Sequence, residues 1–282
     1  MRYSPRGSRQ TLGGPMAFEA IIKPINRLGR GSVAAIAEIG YAGAILFESL
    51  YFAAVGWRRG QPVRFSAVFE QMRQVGIDAI PIVLLLSFTV GLMLGIQFMS
   101  ALGEFGAQSQ VVVAVAKSVT REFAALITGI LIAGRSGSAF AARIGSMNVS
   151  QEVDALAVIG IDPVRYLAAP SLVAMLVMLP TLTVLSNVMA ILGAALYCSP
   201  LLDISPLVYV IQTLNALELR DVFEGLSKSV VFALIITLVG VSTGFGVSGG
   251  AEGVGRATTR AVVLSITMLV VSDMVFSFFL NR

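Results

Sequence analysis

The chain has 282 residues, of which 56% are hydrophobic and 13% charged, with a mean hydropathy of +0.85 and a net charge of +4. A soluble domain carries roughly 25% charged residues, so half that share indicates that lipid, rather than water, covers much of the surface. With no histidine and one cysteine, Cys198, zinc sites, histidine-based catalysis and intrachain disulfides are excluded, and neither a metal nor a cofactor is expected.

Residues 1–15 are basic and broken by Gly and Pro, with no apolar run close enough behind them for a signal peptide; they read as a disordered cytoplasmic tail. Residues 16–78 read as interfacial amphipathic helices. Within them, Val33–Val55 is long and apolar but carries Glu38 and Glu48, while Phe65, Val68, Phe69, Met72 and Gly76 recur at helical spacing with Glu70 and Arg73 on the other side. Between Asp78 and Glu104 lie 25 uncharged residues, enough to cross a bilayer, and Gly91 and Gly95 form a GxxxG that favours close helix packing. Residues 108–134 form a second span, apolar except for Lys117, Arg121 and Glu122. A third, of 37 uncharged residues between Arg165 and Asp203, is punctuated by Pro170, Pro180 and Pro200. A fourth covers the 23 residues between Lys228 and Glu252, and a fifth runs from Ala261, interrupted only by Asp273.

Positive charge orients these spans. If Val33–Val55 lies in the interface, 15 of the 20 Lys and Arg residues fall on the cytoplasmic side. If it crosses, Arg58, Arg59, Arg64, Arg73 and the 135–165 loop move outside, against the positive-inside rule. The expected fold is therefore an all-α polytopic membrane protein with interfacial N-terminal helices and a five-span domain over residues 79–282. Its N-terminus is cytoplasmic and its C-terminus external. The basic balance reflects cytoplasmic loops and implies no nucleic acid.

The loop after the second span is the most informative stretch. Asn148 stands where it can cap a helix, with Gln151 three residues on, and Gly160 and Pro163 supply a stop. About three turns of helix, 149–159, are expected, with Val153, Leu156 and Ala157 on an apolar side and Glu152 and Asp154 as acidic points. This is either an ordinary amphipathic loop helix or a coupling helix that docks into a cytoplasmic motor through Gln151, Glu152, Asp154 and Leu156. The charges inside the spans pose a second choice. A charge at mid-bilayer costs about 2.5–3.5 kcal/mol, and Lys117 and Arg121, four residues apart, share a helix face and repel. Two readings stand side by side without excluding each other: Arg121 and Glu122 pair with other spans, for instance with Asp273, and Arg121, Glu122 and Lys228 line a cavity for a lipid headgroup. Gly244-Phe245-Gly246-Val247-Ser248-Gly249 fits the dinucleotide fingerprint, but it ends an apolar helix with no βαβ unit and reads as a flexible connection. No G-x-x-x-x-G-K-[ST] loop occurs, so this chain cannot bind ATP in the usual P-loop manner, which suits a permease with a separate motor, a secondary transporter or a scaffold alike.

From about Gly76 to the C-terminus the chain resembles the MlaE (YrbE-like) permease family of MCE-type lipid ABC transporters. The likeness is carried by Ala133-Gly134-Arg135-Ser136-Gly137-Ser138-Ala139, Ile144-Gly145-Ser146-Met147, Asp154-Ala155-Leu156 and Gly160-Ile161-Asp162-Pro163-Val164-Arg165-Tyr166-Leu167. Arg121-Glu122, Lys228-Ser229-Val230-Val231-Phe232, Arg256-Ala257-Thr258-Thr259-Arg260 and Asp273 follow the same order. The chain departs from the family pattern at Arg143, at Gln151-Glu152 and at Ser171. The resemblance implies a homodimeric permease of the bacterial inner membrane that moves phospholipid or a similar lipid. It also implies a cytoplasmic ABC ATPase below, often a STAS-domain protein beside it, and a periplasmic MCE-domain partner above. The rival readings are a non-transporting scaffold and an intramembrane enzyme. The enzyme would have to use Glu122 and Asp273, with no nucleophile–base pair or metal cluster to assist them.

Overall fold

The computed structural model describes residues 40–52 and 64–280. The tail expected over residues 1–15, and residues 16–39 and 53–63 of the expected interfacial region, lie outside the described residues. Among the described residues there is no strand. The helices are α1 (40–52), α2 (Phe65–Val75), α3 (Ile80–Gly103), α4 (Gln108–Val149), α5 (Glu152–Val158), α6 (Val164–Leu201), α7 (Pro206–Ala216), α8 (Leu219–Phe245) and α9 (Gly250–Leu280). Five helical stretches are long and apolar enough to cross a membrane: α2 and α3 taken together, α4, α6, α8 and α9. The protein is a multi-pass, all-α membrane protein.

The spans alternate in direction. One end, called near, holds the start of α3, the connection through α5 and the α8–α9 turn; the far end holds the α3–α4 connection and α7. Helices running the same way pack in parallel at nearly constant register. Along α3 and α6, Ser87 bonds Ser186 Oγ at 2.7 Å, a Cβ at Gly91 would overlap Ala190 O, and one at Gly193 would overlap Phe88 O. Every pair sits about a hundred residues apart. The GxxxG is thus spent inside the chain, letting α3 meet α6 backbone to backbone. Along α4 and α8, Gly225 lies against Thr120 O, Gly129 against Phe232, Gly240 against Gly137 O and Gly244 against Ile144. Antiparallel α9 closes on the same two helices, with Leu269 over Gly129 and Ser265 near Gly137.

Helix α4 is longer than the sequence suggests. Its 42 residues extend about 60 Å at 1.5 Å each, twice the ~30 Å hydrocarbon core. Ala133–Val149, expected as loop, is therefore helix projecting past the membrane. Asn148 does not cap α5. Its amide donates to Phe245 O at 3.1 Å and Val247 O at 2.9 Å, so α4 runs on to Val149 and the short helix starts only at Glu152, after Gln151 at φ 62. The Gly160 stop holds: at φ 81 it lets Gly160 N–H reach Ala157 O at 3.0 Å and Ile161 N–H reach Leu156 O at 2.9 Å. The Gly244–Gly249 stretch is likewise no loose connection. Asn148 fastens it, Val247 is buried against Gly145, and only Gly249 and Gly250 take positive φ.

Helix α2 is amphipathic. Val68, Gln71 and Val75 are buried, whereas Phe65 and Phe69 are exposed. Gly76 presses on Met178 of α6, and Arg135 of α4 donates to Gln74 O at 3.0 Å. Ile45 of α1 packs with Ile144, Val153, Leu167 and Val241 at the near end.

Candidate functional site

The intramembrane charges gather in the far half, where α4, α8 and α9 meet. Helix α4 does not stay α-helical there. Val119–Phe123 forms a π-helical turn, the kind of widened turn that is over-represented at functional sites. Gly225 sets its back against the Thr120 carbonyl at this level, so α8 comes close enough for its acids to reach α4. The wider turn sends the adjacent side chains Arg121 and Glu122 to two different partners.

Arg121 donates to the buried Asp221 of α8 at 2.5 Å, with Glu224 at 3.7 Å from its Nε. Asp221 also accepts from Glu218 N–H at 2.9 Å, closing a capping box at the start of α8. Glu224 in turn accepts from Arg220 at 3.0 Å, and Arg220 ties to the Leu280 carbonyl of α9 at 2.7 Å. Lys117 lies 3.5 Å from Glu218. The expected repulsion between Lys117 and Arg121 is therefore relieved, each cation having its own acid.

Glu122 accepts from Lys228 of α8, whose ammonium also lies 3.0 Å from Asp273 Oδ1 and 3.1 Å from Ser277 Oγ. Ser277 donates to the other Glu122 oxygen at 2.9 Å. Lys228 is 1% exposed and Glu122 32%. One ammonium thus holds two carboxylates on two different helices. Such a pair resists loss of either partner, because the survivor is left as an uncompensated buried charge. Of the pairings expected for Asp273, the one with Arg121 is not made; Lys228 is its cation. Across the network four cations face five carboxylates, all within hydrogen-bonding or ion-pair reach of a partner.

The sequence-selected residues fall into two groups that the fold keeps apart. Arg121, Glu122 and Lys228 lie in the far half. Gln151, Glu152, Asp154 and Leu156 lie at the near end, on a helix whose one buried residue is Val153. Glu152 accepts from Ser150 Oγ at 2.8 Å; Glu152 and Asp154 are exposed, Leu156 is half-buried, and Val158 and Ile159 project beside them. Just behind this helix, Asp162 caps α6 by accepting from Val164 and Arg165 N–H. Glu48 of α1 approaches the same carboxylate, and burial together with Asp162 pushes its pKa above the ordinary glutamate range. Sequence reasoning missed Glu218, Asp221, Glu224 and Ser277. The Glu218–Asp221 spacing was the available signal, since an acid three residues inside a helix start is a capping pattern.

Helix α9 presents two open surfaces. The outward face of α9 is apolar and open, with Val271, Met274, Val275 and Phe278 exposed. Nearer the opposite end of α9 an open groove of about 750 Å³ is lined by Glu252, Arg256, Thr259, Arg260 and Val263.

A family model described as Permease MlaE matches residues 68–279. A probable ABC transporter permease protein of Synechocystis is 40% identical over 208 residues, covering 74% of this chain and 79% of that protein. A probable ABC transporter permease protein of Rickettsia felis is 34% identical over 227 residues, 80% of this chain and 88% of its own length. The chloroplastic protein trigalactosyldiacylglycerol 1 of Arabidopsis thaliana is 35% identical over 217 residues, 77% of this chain and 62% of its own.

Proposed function

The chain belongs to the MlaE permease family, and from that premise we propose that it is the membrane subunit of an ABC transporter that moves phospholipid or a similar lipid. It works as a homodimer in the bacterial inner membrane, with the near end cytoplasmic. A separate ATPase docks on α5 through Gln151, Glu152, Asp154 and Leu156, a STAS-domain protein sits beside that ATPase, and an MCE-domain partner meets the far end. The observation that carries the reading is the Lys228–Glu122–Asp273 network set beside the open apolar face of α9. That arrangement offers a charged floor for a headgroup and an oily wall for tails. A name built on a diacylglycerol lipid, borne by the Arabidopsis relative, supports the same class of cargo. An ATP motor is needed because each buried CH₂ holds a tail in the bilayer by about 0.8 kcal/mol.

In this reading Arg121, Glu122 and Lys228 contact the headgroup, exchanging part of their mutual pairing for phosphate and amine contacts as the cavity opens. The test replaces Arg121 or Lys228 and compares, by mass spectrometry, the lipid retained by the purified complex with the yield of folded dimer. Less lipid per folded dimer supports the reading. Lost yield with lipid retained in proportion sinks it and leaves the network a purely structural one. A parallel measurement replaces Glu152 or Asp154: hydrolysis by the co-purified ATPase should fall, and a scaffold would leave it unchanged.

A further inference from the structure

Helix α7 joins α6 to α8 at the far end, and its surface divides into three stripes. At 3.6 residues per turn, Tyr209 and Thr213 share one side and are buried. Tyr209 is packed with Val111, Val112 and Val115 of α4 and with Ala195 and Cys198 of α6. These residues belong to the last turns of the spans, so α7 lies against their flank and not above them. On the next side Leu207, Ile211 and Leu214 recur at i, i+4 and i+7 and are 70%, 47% and 65% exposed. Gln212 and Asn215 share the remaining side with the smaller Val208, and all three are exposed. From 204 to 217 there are 14 residues without a charge, bounded by Asp203 and Glu218.

We infer that α7 is an interfacial helix lying in the plane of the far leaflet, with Leu207, Ile211 and Leu214 sunk among lipid acyl chains and Gln212 and Asn215 among the headgroups. Eleven residues are too few to cross, and a helix with one apolar and one polar exposed side partitions to the boundary between tails and headgroups. The exposed apolar stripe continues onto Leu196 of α6 and onto Leu219 and Phe223 of α8, all widely exposed, so it extends the lipid-facing belt of the spans. Lipid is favoured over a protein partner by composition. The stripe is entirely aliphatic, without the Trp, Tyr or Arg anchors that dominate protein interfaces, and the helix's one tyrosine points inward. The inference rests on the membrane-spanning fold alone and is independent of the cargo.

The test uses the full chain, purified with the subunits that accompany it, their own tryptophans replaced by phenylalanine, and reconstituted in phosphatidylcholine vesicles. Trp57 is the only tryptophan, so a Trp57→Phe background reports on single tryptophans placed at Leu207, Ile211, Leu214 or Gln212, with Leu192→Trp on α6 as a lipid-facing reference. Lipid brominated on its acyl chains should quench Ile211→Trp and Leu214→Trp as strongly as Leu192→Trp, while aqueous iodide leaves them bright. Gln212→Trp should show the reverse order. Iodide quenching at Ile211 and Leu214 would overturn the inference in favour of a water-exposed helix. Protection from both quenchers would overturn it in favour of a protein cover, a second copy or another subunit. Because Leu207, Ile211 and Leu214 are all exposed, three independent variants guard against a single misfolded one, and gel filtration of each confirms the parent's assembly.

Discussion

Replacing Lys228 by methionine keeps the length of the side chain and removes the ammonium that holds Glu122 and Asp273 apart. The two carboxylates are then left beside one another inside the membrane domain, with Ser277 still donating to Glu122. Breaking a buried ion pair by removing one partner costs about 3–5 kcal/mol, and each kcal/mol lowers the midpoint of a domain this size by roughly 2–4 °C. A drop of roughly 10 °C is expected, read as the fraction of monodisperse protein surviving a heating series by gel filtration. The damage should be specific to charge. Adding Asp273→Asn to Lys228→Met removes one of the stranded carboxylates and should recover at least half of the loss, whereas Asp273→Asn alone should cost less than Lys228→Met alone. If Lys228→Met melts with the parent, or the second substitution deepens the loss, the reasoning that Lys228 neutralises both acids is refuted.

Leucine at Gly193 places a side chain where Phe88 O already stands. Overpacking of this kind costs about 1–3 kcal/mol or more, and the yield of folded protein should fall sharply, while leucine at Gly134, which meets nothing within 4 Å, should leave it unchanged. Asn148→Ala removes two hydrogen bonds to the α8–α9 turn, about 2 kcal/mol together, and hydrogen exchange at 246–250 should rise with little change elsewhere. The pKa of Glu48 is raised by burial and by Asp162. A raised folded value means the docked form binds the proton more tightly, so α1 is held best below the ordinary glutamate range and more loosely as pH climbs past the elevated one. Proteolysis within residues 44–52 should therefore increase with pH in the parent, and Glu48→Gln should flatten the profile.

The spans were legible because a segment surrounded by lipid must be nearly free of charge, which leaves runs such as the 25 residues before Glu104 unmistakable. Their partners were not. Arg121 and Asp221 are a hundred residues apart, and nothing local to either tells which of Glu122, Asp221 or Asp273 a cation will take. Asn148 shows the same limit from the other side. Its chemistry suits a helix cap, but the acceptors that win it lie 97 and 99 residues away, and with the amide occupied α4 simply continues. The π turn at Val119–Phe123 was equally unreadable, since it accompanies the close approach of Gly225 to the Thr120 carbonyl and not any residue pattern within α4. The register of α3 on α6 was half visible: the glycines announced a tight seam, and only the fold shows that Ala190, Gly193 and Ala194 form its other side.

Seams of this kind restrict how the bundle can change shape. Where a backbone carbonyl sits in the notch left by a missing side chain, as Phe88 O does at Gly193 and Thr120 O at Gly225, neighbouring rods cannot slide past one another like pistons. Displacing one by a turn would drive its ridges into the other's main chain. Rotation of a coupled pair about a common line leaves those notches filled. In the proposed reading, a push delivered at residues 152–158 travels along α4 and carries α8 with it as a single lever, tilting the floor on which Lys228, Glu122 and Asp273 stand.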